Sequence, residues 1–106
     1  MTTFDEREQA FENKFKHDEE LLFRIYARRA KLVGLWAAGQ LGLTGADADA
    51  YAKRLVDIDF NEPHHHDIVR QVKSDLDAKG LDVSEHRIQR EMETQLDIAR
   101  QQVNAE

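Results

Sequence analysis

The first 36 residues carry an apolar stripe with a seven-residue period, which constrains the fold more than any other feature of the chain. Steps of three and four residues return to the same face of a helix, so two interleaved series of positions share one side. These series are Phe4, Phe11, Asp18, Ile25 and Leu32, and Glu8, Phe15, Leu22, Arg29 and Trp36. From Leu21 onward the stripe is dense in large apolar residues, whereas before His17 it holds three phenylalanines separated by charge. The pattern predicts a helix that enters a core only in its second half, after a front half that resembles a partner-binding arm.

The rest of the chain also predicts helices, because it has one proline and no alternating β-branched pattern. We therefore expect an all-α four-helix bundle, with short connections that favour antiparallel packing. The first core helix is predicted from about Asp18 to Gln40, and the second from a capping-box-like Thr44–Asp47 to about Ile58. The third helix should hold Pro63 in its first turn and close at Lys79–Gly80, and Asp82 or Ser84 should cap the fourth.

The apolar positions of these helices define a predicted core. Phe60 should plug it from the linker, and the chain should fray from Gln101 onward. The inward-facing positions are Leu22, Ile25, Tyr26, Arg29, Leu32, Val33, Trp36, Ala48, Tyr51, Ala52, Leu55, Val56, Ile68, Val69, Val72, Leu76, Ile88, Met92, Leu96, Ala99 and Val103.

Length and composition exclude several classes of protein. A chain of 106 residues predicts one small domain, and no apolar run approaches the roughly 20 residues that span a bilayer. The absence of cysteine excludes a disulfide scaffold and a thiolate metal site. The N-terminus shows no basic segment followed by an apolar one, so we expect a cytoplasmic protein rather than a secreted one. A net charge of −6 argues against nucleic acid as the main partner.

Residues 21–43 form a basic segment between acidic ones, with four basic residues and no acidic residue. The four are Arg24, Arg28, Arg29 and Lys31. One interpretation is ordinary pairing, with Arg29 holding an acidic side chain from another helix. The other is a phosphate-binding patch with weak affinity for ATP or ADP, although Gly39, Gly42 and Gly45 lack the spacing of a P-loop. Apart from such nucleotide binding, we expect no cofactor.

The histidines and possible nucleophiles give weak signals. His64, His65 and His66 point about 100° apart on a helix and cannot easily close around one metal, so no metal site is predicted. His17 lies between the arm and the bundle, where its titration could bias the ordering of the arm. Ser74 and Ser84 lack a nucleophile elbow or a positioned base, and we expect no enzymatic activity.

Residues 1–17 should be mobile or only nascently helical before a partner is bound. Burying three phenylalanines is worth roughly 5–9 kcal/mol, whereas ordering each residue costs about 1–2 kcal/mol of backbone entropy. An isolated helix of this length is marginal in water. We therefore predict an arm at residues 1–17 and a four-helix domain at 18–106. The alternative is a long first helix from Thr3, or an arm folded onto its own bundle.

Seven segments together form a pattern that is typical of one family: Met1–Glu8, Phe11–Phe15, His17–Asp18, Ala27–Gly39, Leu41–Gly45, Ala50–Ala52 and Asp59–Pro63. Through them the sequence resembles the zeta subunit of alphaproteobacterial F-type ATP synthases along essentially the whole chain. The resemblance is strongest over residues 1–63 and weaker in the last helix. The run His64–His66 departs from it, because relatives carry acidic or small residues there.

The resemblance implies a small four-helix inhibitor of the rotary ATPase, peripheral to the inner membrane and monomeric when free. Its arm would enter between the alpha and beta catalytic subunits beside the gamma stalk, and would block hydrolysis while permitting synthesis. Phe4, Phe11 and Phe15 would then be apolar anchors, with a polar rim formed by Asp5, Glu6, Arg7, Glu8, Glu12, Lys14 and Lys16. Two alternatives are a nucleotide-sensing regulatory module that uses the basic helix, and a self-associating structural protein.

Overall fold

The computed structural model of the chain describes the backbone of residues 3–106 and the side chains of residues 9, 10, 14 and 16–106. Four helices make up 82% of the chain, and the described backbone contains no strand. Their bounds are Thr3–Gln40 for α1, Gly45–Phe60 for α2, His66–Ala78 for α3 and Glu85–Asn104 for α4. The prediction of an all-α four-helix protein is confirmed.

The predicted arm forms the first part of α1, which runs for 38 residues without a break at residue 17. The helix therefore begins at Thr3 rather than near Asp18, where the first core helix was predicted to start. Neither proline nor glycine occurs in α1 before Gly34. Because residues beyond Leu21 already hold a helical nucleus against the bundle, the arm only has to propagate it, which avoids the cost of nucleation.

The core lies where α1 packs on α2 and α4, while α3 closes the remaining side. Most of the predicted inward positions are buried, including Val33, Leu55, Val72 and Ile88, each with 0% exposure. Helices α1 and α2 approach each other closely where Gly34 faces the backbone of Ala52. The small residues at this crossing were not predicted from the sequence; Ala30, Ala37 and Ala38 are also fully buried on α1.

Two predicted core residues are instead exposed. Phe60 is 66% exposed at the end of α2, so it does not plug the core, and Leu22 is 41% exposed on α1. Leu22 shares the apolar stripe with buried residues further along α1. It lies only one residue after Leu21, which is the first residue of α1 that packs against the described core. The apolar stripe of α1 therefore includes a residue that the other helices do not cover.

The start of α3 differs from the prediction. Pro63 precedes this helix rather than lying in its first turn, because α3 begins only at His66, after His65 in a left-handed conformation at φ 60°. The preceding turn is held by the carboxylate of Glu62, which accepts hydrogen bonds from the backbone N–H groups of His64 at 2.9 Å and His66 at 2.5 Å. These backbone hydrogen bonds lower the pKa of Glu62.

The other helix ends follow the sequence more closely. Gly42 takes the left-handed conformation after α1, and Ser84 caps α4 by accepting a hydrogen bond from the backbone N–H of Arg87 at 3.1 Å. Thr44 occupies the N-cap of α2 but makes no side-chain capping bond. The prediction of a frayed tail is wrong, because α4 continues to Asn104 and Val103 is 3% exposed against Ile25 and Ala99.

Candidate partner-binding surface

The arm presents a row of exposed side chains before α1 reaches the bundle. All described side chains up to residue 20 are exposed, including the predicted rim residue Lys14. The remaining predicted contact residues, Phe4, Asp5, Arg7, Glu8, Phe11 and Phe15, have side chains that lie outside the described residues. Positions 4, 11, 15 and 22 share one face of a helix with 3.6 residues per turn. A helical backbone through this segment therefore keeps the apolar positions in one line.

A second apolar surface lies where α1 meets the end of α2, and we call Leu22, Phe23 and Phe60 the apolar patch. These three are the large hydrophobic side chains that are exposed among the described residues, at 41%, 53% and 66%. The rings of Phe23 and Phe60 pack edge to face, with centroids 5.5 Å apart. They border an open groove of about 310 Å³, which is also lined by Tyr26, Ala27, Val56, Asp59, Glu62, Pro63 and His65.

The apolar patch was not predicted from the sequence. Phe23 lies about 100° from Leu22 around α1 and so falls off the predicted stripe. Phe60 was assigned to the core because a large aromatic residue in a short linker usually packs inward. The sequence does place Leu22, Phe23 and Phe60 at the same end of the predicted bundle, which was a signal for the patch. Whether they lie close together depends, however, on where α2 ends.

Arg29, on α1, is almost fully buried, at 8% exposure, in a cleft that the histidines at positions 64–66 also line. Its guanidinium lies 5.0 Å from the centroid of the Tyr26 ring, and burial lowers the pKa of Arg29 while the negative charge of Asp59 partly offsets this effect. Asp59, on α2, is the acidic neighbour expected from another helix, but its carboxylate is hydrogen bonded to His65 Nδ1 at 2.8 Å. The Nε of Arg29 has no hydrogen-bond partner among the described residues.

The other predicted nucleotide-binding residues line a different cleft. Arg24 and Arg28 both bind the carboxylate of Glu106, and the Arg24 contact measures 2.6 Å. Lys31 is exposed beside them, whereas Arg29 lines a cleft with His64, His65 and His66. The four cations therefore do not converge, and two of them already have an anionic partner. Binding of ATP or ADP stays a prediction.

The contact of Glu106 with Arg24 and Arg28 should make stability depend on pH. Hydrogen bonds from Arg28 and Arg24 lower the pKa of Glu106 below its ordinary value of 4.5. A lowered pKa in the folded state means that the stabilisation is fully present above pH 4.5 and is lost as pH falls through the folded-state value. Thermal melting of the parent and of Glu106→Gln should thus differ at neutral pH and converge in acid. An equal difference at all pH values would contradict this assignment.

The histidines do not assemble a metal site in the described part of the chain, where no group of three or more His, Cys, Asp or Glu residues could hold an ion. The ring centroids of His64 and His66 lie 6.0 Å apart, while His65 contacts Asp59 and its tilted ring lies 4.6 Å, centroid to centroid, from Tyr26. His17 is exposed, and its influence on the arm stays a prediction.

None of the described helices contains a segment long and apolar enough to cross a membrane.

The structure defines a small four-helix protein with an elongated first helix. A family model described as ATPase inhibitor subunit zeta matches residues 1–102, and the chain belongs to this family. A structure solved by solution NMR is 40% identical, with a TM-score of 0.69, and the match covers 78% of this chain and 94% of that one. No curated protein matches the chain. The predicted family is thereby confirmed, and it is that of an ATPase inhibitor.

Proposed function

We propose that this chain inhibits ATP hydrolysis by the F-type ATP synthase through the first part of α1. In this proposal residues 3–17 enter as a helix between the alpha and beta catalytic subunits beside the gamma stalk. The observation that carries the proposal is the unbroken helix from Thr3 to Gln40, whose described side chains before Leu21 are all exposed. A helix that propagates from the bundle loses less conformational entropy when it becomes ordered at an interface than a free peptide would.

The chemistry of the arm suits a groove between protein subunits. Aromatic residues dominate interface hot spots, so Phe4, Phe11 and Phe15 are the proposed anchors. Residues 1–20 contain seven acidic and three basic residues, which supply a polar rim that can steer approach and fix register. Lys14 and Lys16 are the rim residues whose side chains are described, and both are exposed.

Inhibition by such a wedge requires no chemistry from the inhibitor. A helix between two catalytic subunits prevents them from closing on nucleotide. Rotation in the hydrolytic direction tightens the wedge, whereas rotation in the synthetic direction releases it. We therefore propose a non-catalytic regulator, monomeric when free and located in the cytoplasm at the membrane-bound enzyme.

The direct test is ATP hydrolysis by the purified cognate F-type ATPase, titrated with the full-length protein. We expect hydrolysis to fall in a saturable manner. Synthesis by the coupled enzyme in energised vesicles should continue at the same protein concentration. Hydrolysis that is unchanged at saturating protein would overturn the proposed function but not the fold.

A further inference from the structure

We propose that the apolar patch formed by Leu22, Phe23 and Phe60 is a second contact with the same ATPase. It would receive an apolar side chain from the surface of the catalytic subunits at the rim of the cleft that takes up the arm. This inference rests on the function proposed above and extends it from the arm to the four-helix domain.

The exposure of the patch has no explanation within the chain. Phe23 and Phe60 are 53% and 66% exposed, although each carries a large apolar ring. Their edge-to-face contact leaves one wall of each ring facing the open groove of about 310 Å³ beside Tyr26, Val56 and Pro63. Contiguous exposed apolar surface on a small soluble domain commonly marks an interaction site. The groove is of a size that accommodates a side chain rather than a whole helix.

The patch and the arm lie on the same continuous helix, α1, which indicates that one partner contacts both. Leu22 and Phe23 follow position 15 of the arm by seven and eight residues, which is roughly 10–12 Å along a helix. Neither proline nor glycine interrupts α1 between these positions, so the patch keeps a fixed position relative to the arm. Leu22 continues the line of positions 4, 11 and 15, whereas Phe23 lies about 100° further round α1. Binding of the arm therefore brings Leu22 to the surface of the same partner and places the groove of Phe23 and Phe60 at the flank of that contact.

A second copy of the chain is a less suitable occupant. A stable interface commonly involves about 20–30 residues on each side, whereas the patch offers three exposed large side chains. An area of this size contributes as an extension of the arm's interface, where the cost of association has already been met. Aromatic side chains in such a position act mainly by slowing dissociation.

The test uses the full-length protein with Phe60→Ser and measures the concentration that half-inhibits ATP hydrolysis. We expect this concentration to rise about tenfold, mainly through faster dissociation. Phe60→Leu, which keeps an apolar side chain, should restore most of the potency. Lys53→Ser changes an exposed residue on the same helix and should inhibit like the parent. The melting temperatures of all variants should match, because Phe60 is 66% exposed.

The possible outcomes separate this inference from the proposed function. A parent that fails to inhibit overturns both. A parent that inhibits, with Phe60→Ser equally potent, overturns only the second contact. Sedimentation at the assay concentration addresses the other occupant: a dimeric parent that Phe60→Ser converts to a monomer would assign the patch to a second copy and overturn the inference.

Discussion

Removal of residues 1–16 is expected to abolish inhibition of ATP hydrolysis while leaving the melting temperature of the four-helix domain nearly unchanged. The described side chains at positions 9, 10, 14 and 16–20 are exposed, and Leu21 is the first described residue of α1 that packs on the core. Truncation therefore removes the proposed anchors without removing described core contacts. The two measurements are ATP hydrolysis at saturating protein and thermal unfolding followed by circular dichroism.

A full-length variant with Phe4, Phe11 and Phe15 all changed to serine tests whether inhibition depends on these aromatic side chains or only on the length of the helix. We expect it to lose potency nearly as completely as the truncation does, because hot-spot aromatic residues carry most of an interface's binding energy. Lys14→Ala is the matched control, since it changes one exposed rim residue and should alter potency only slightly. Parental potency in the truncated chain would overturn the arm as the inhibitory element.

Gly34→Ala is expected to lower the melting temperature, although alanine favours helices. A Cβ at position 34 would lie 2.6 Å from Ala52 Cα and 3.0 Å from Ala52 Cβ, so α1 and α2 would have to separate. Overpacking of this kind costs about 1–3 kcal/mol, against the roughly 1 kcal/mol that alanine gains in helix propensity. We expect a net loss of up to about 2 kcal/mol, or up to some 16 °C in a domain of this size.

Gly39→Ala provides a control within the same helix. Nothing lies within 4 Å of the Cβ position of Gly39, so the propensity gain is unopposed there. We expect this variant to be more stable by roughly 0.5–1 kcal/mol. The two substitutions are chemically identical and should shift the melting temperature in opposite directions. A stabilising Gly34→Ala would contradict the close approach of α1 and α2.

The fold was largely predictable because each helix carries its own local signals. Periodic apolar positions identified the buried faces, and Ser84 and Gly42 marked helix ends through their side-chain and backbone chemistry. Pro63 was misplaced because the adjacent Glu62 carboxylate holds a turn that competes with the helix start. The tail beyond Gln101 was misjudged because its helix depends on distant contacts: Val103 packs near Ile25, and Glu106 binds Arg24 and Arg28.

The candidate surface was predictable only in part. The arm followed from the thin apolar stripe, since that feature lies within one stretch of sequence. The apolar patch did not, because periodicity shows which side of a helix is apolar but not how far the neighbouring helices extend. Leu22 and Phe60 lie where this cover ends, and only the tertiary arrangement reveals that Phe23 and Phe60 meet.

In the proposed mechanism, the uninterrupted α1 would also set how far the arm can enter the enzyme. The described part of the chain is 65 Å long but 25 × 20 Å across, so the wider bundle would limit how much of the first part of α1 can enter a cleft. About 20 residues precede the bundle, which corresponds to roughly 30 Å of helix. Each residue inserted ahead of Leu21 would move the tip by about 1.5 Å and rotate it by about 100°. The distance that the arm reaches and its rotation about the helix axis therefore both depend on the number of residues before Leu21.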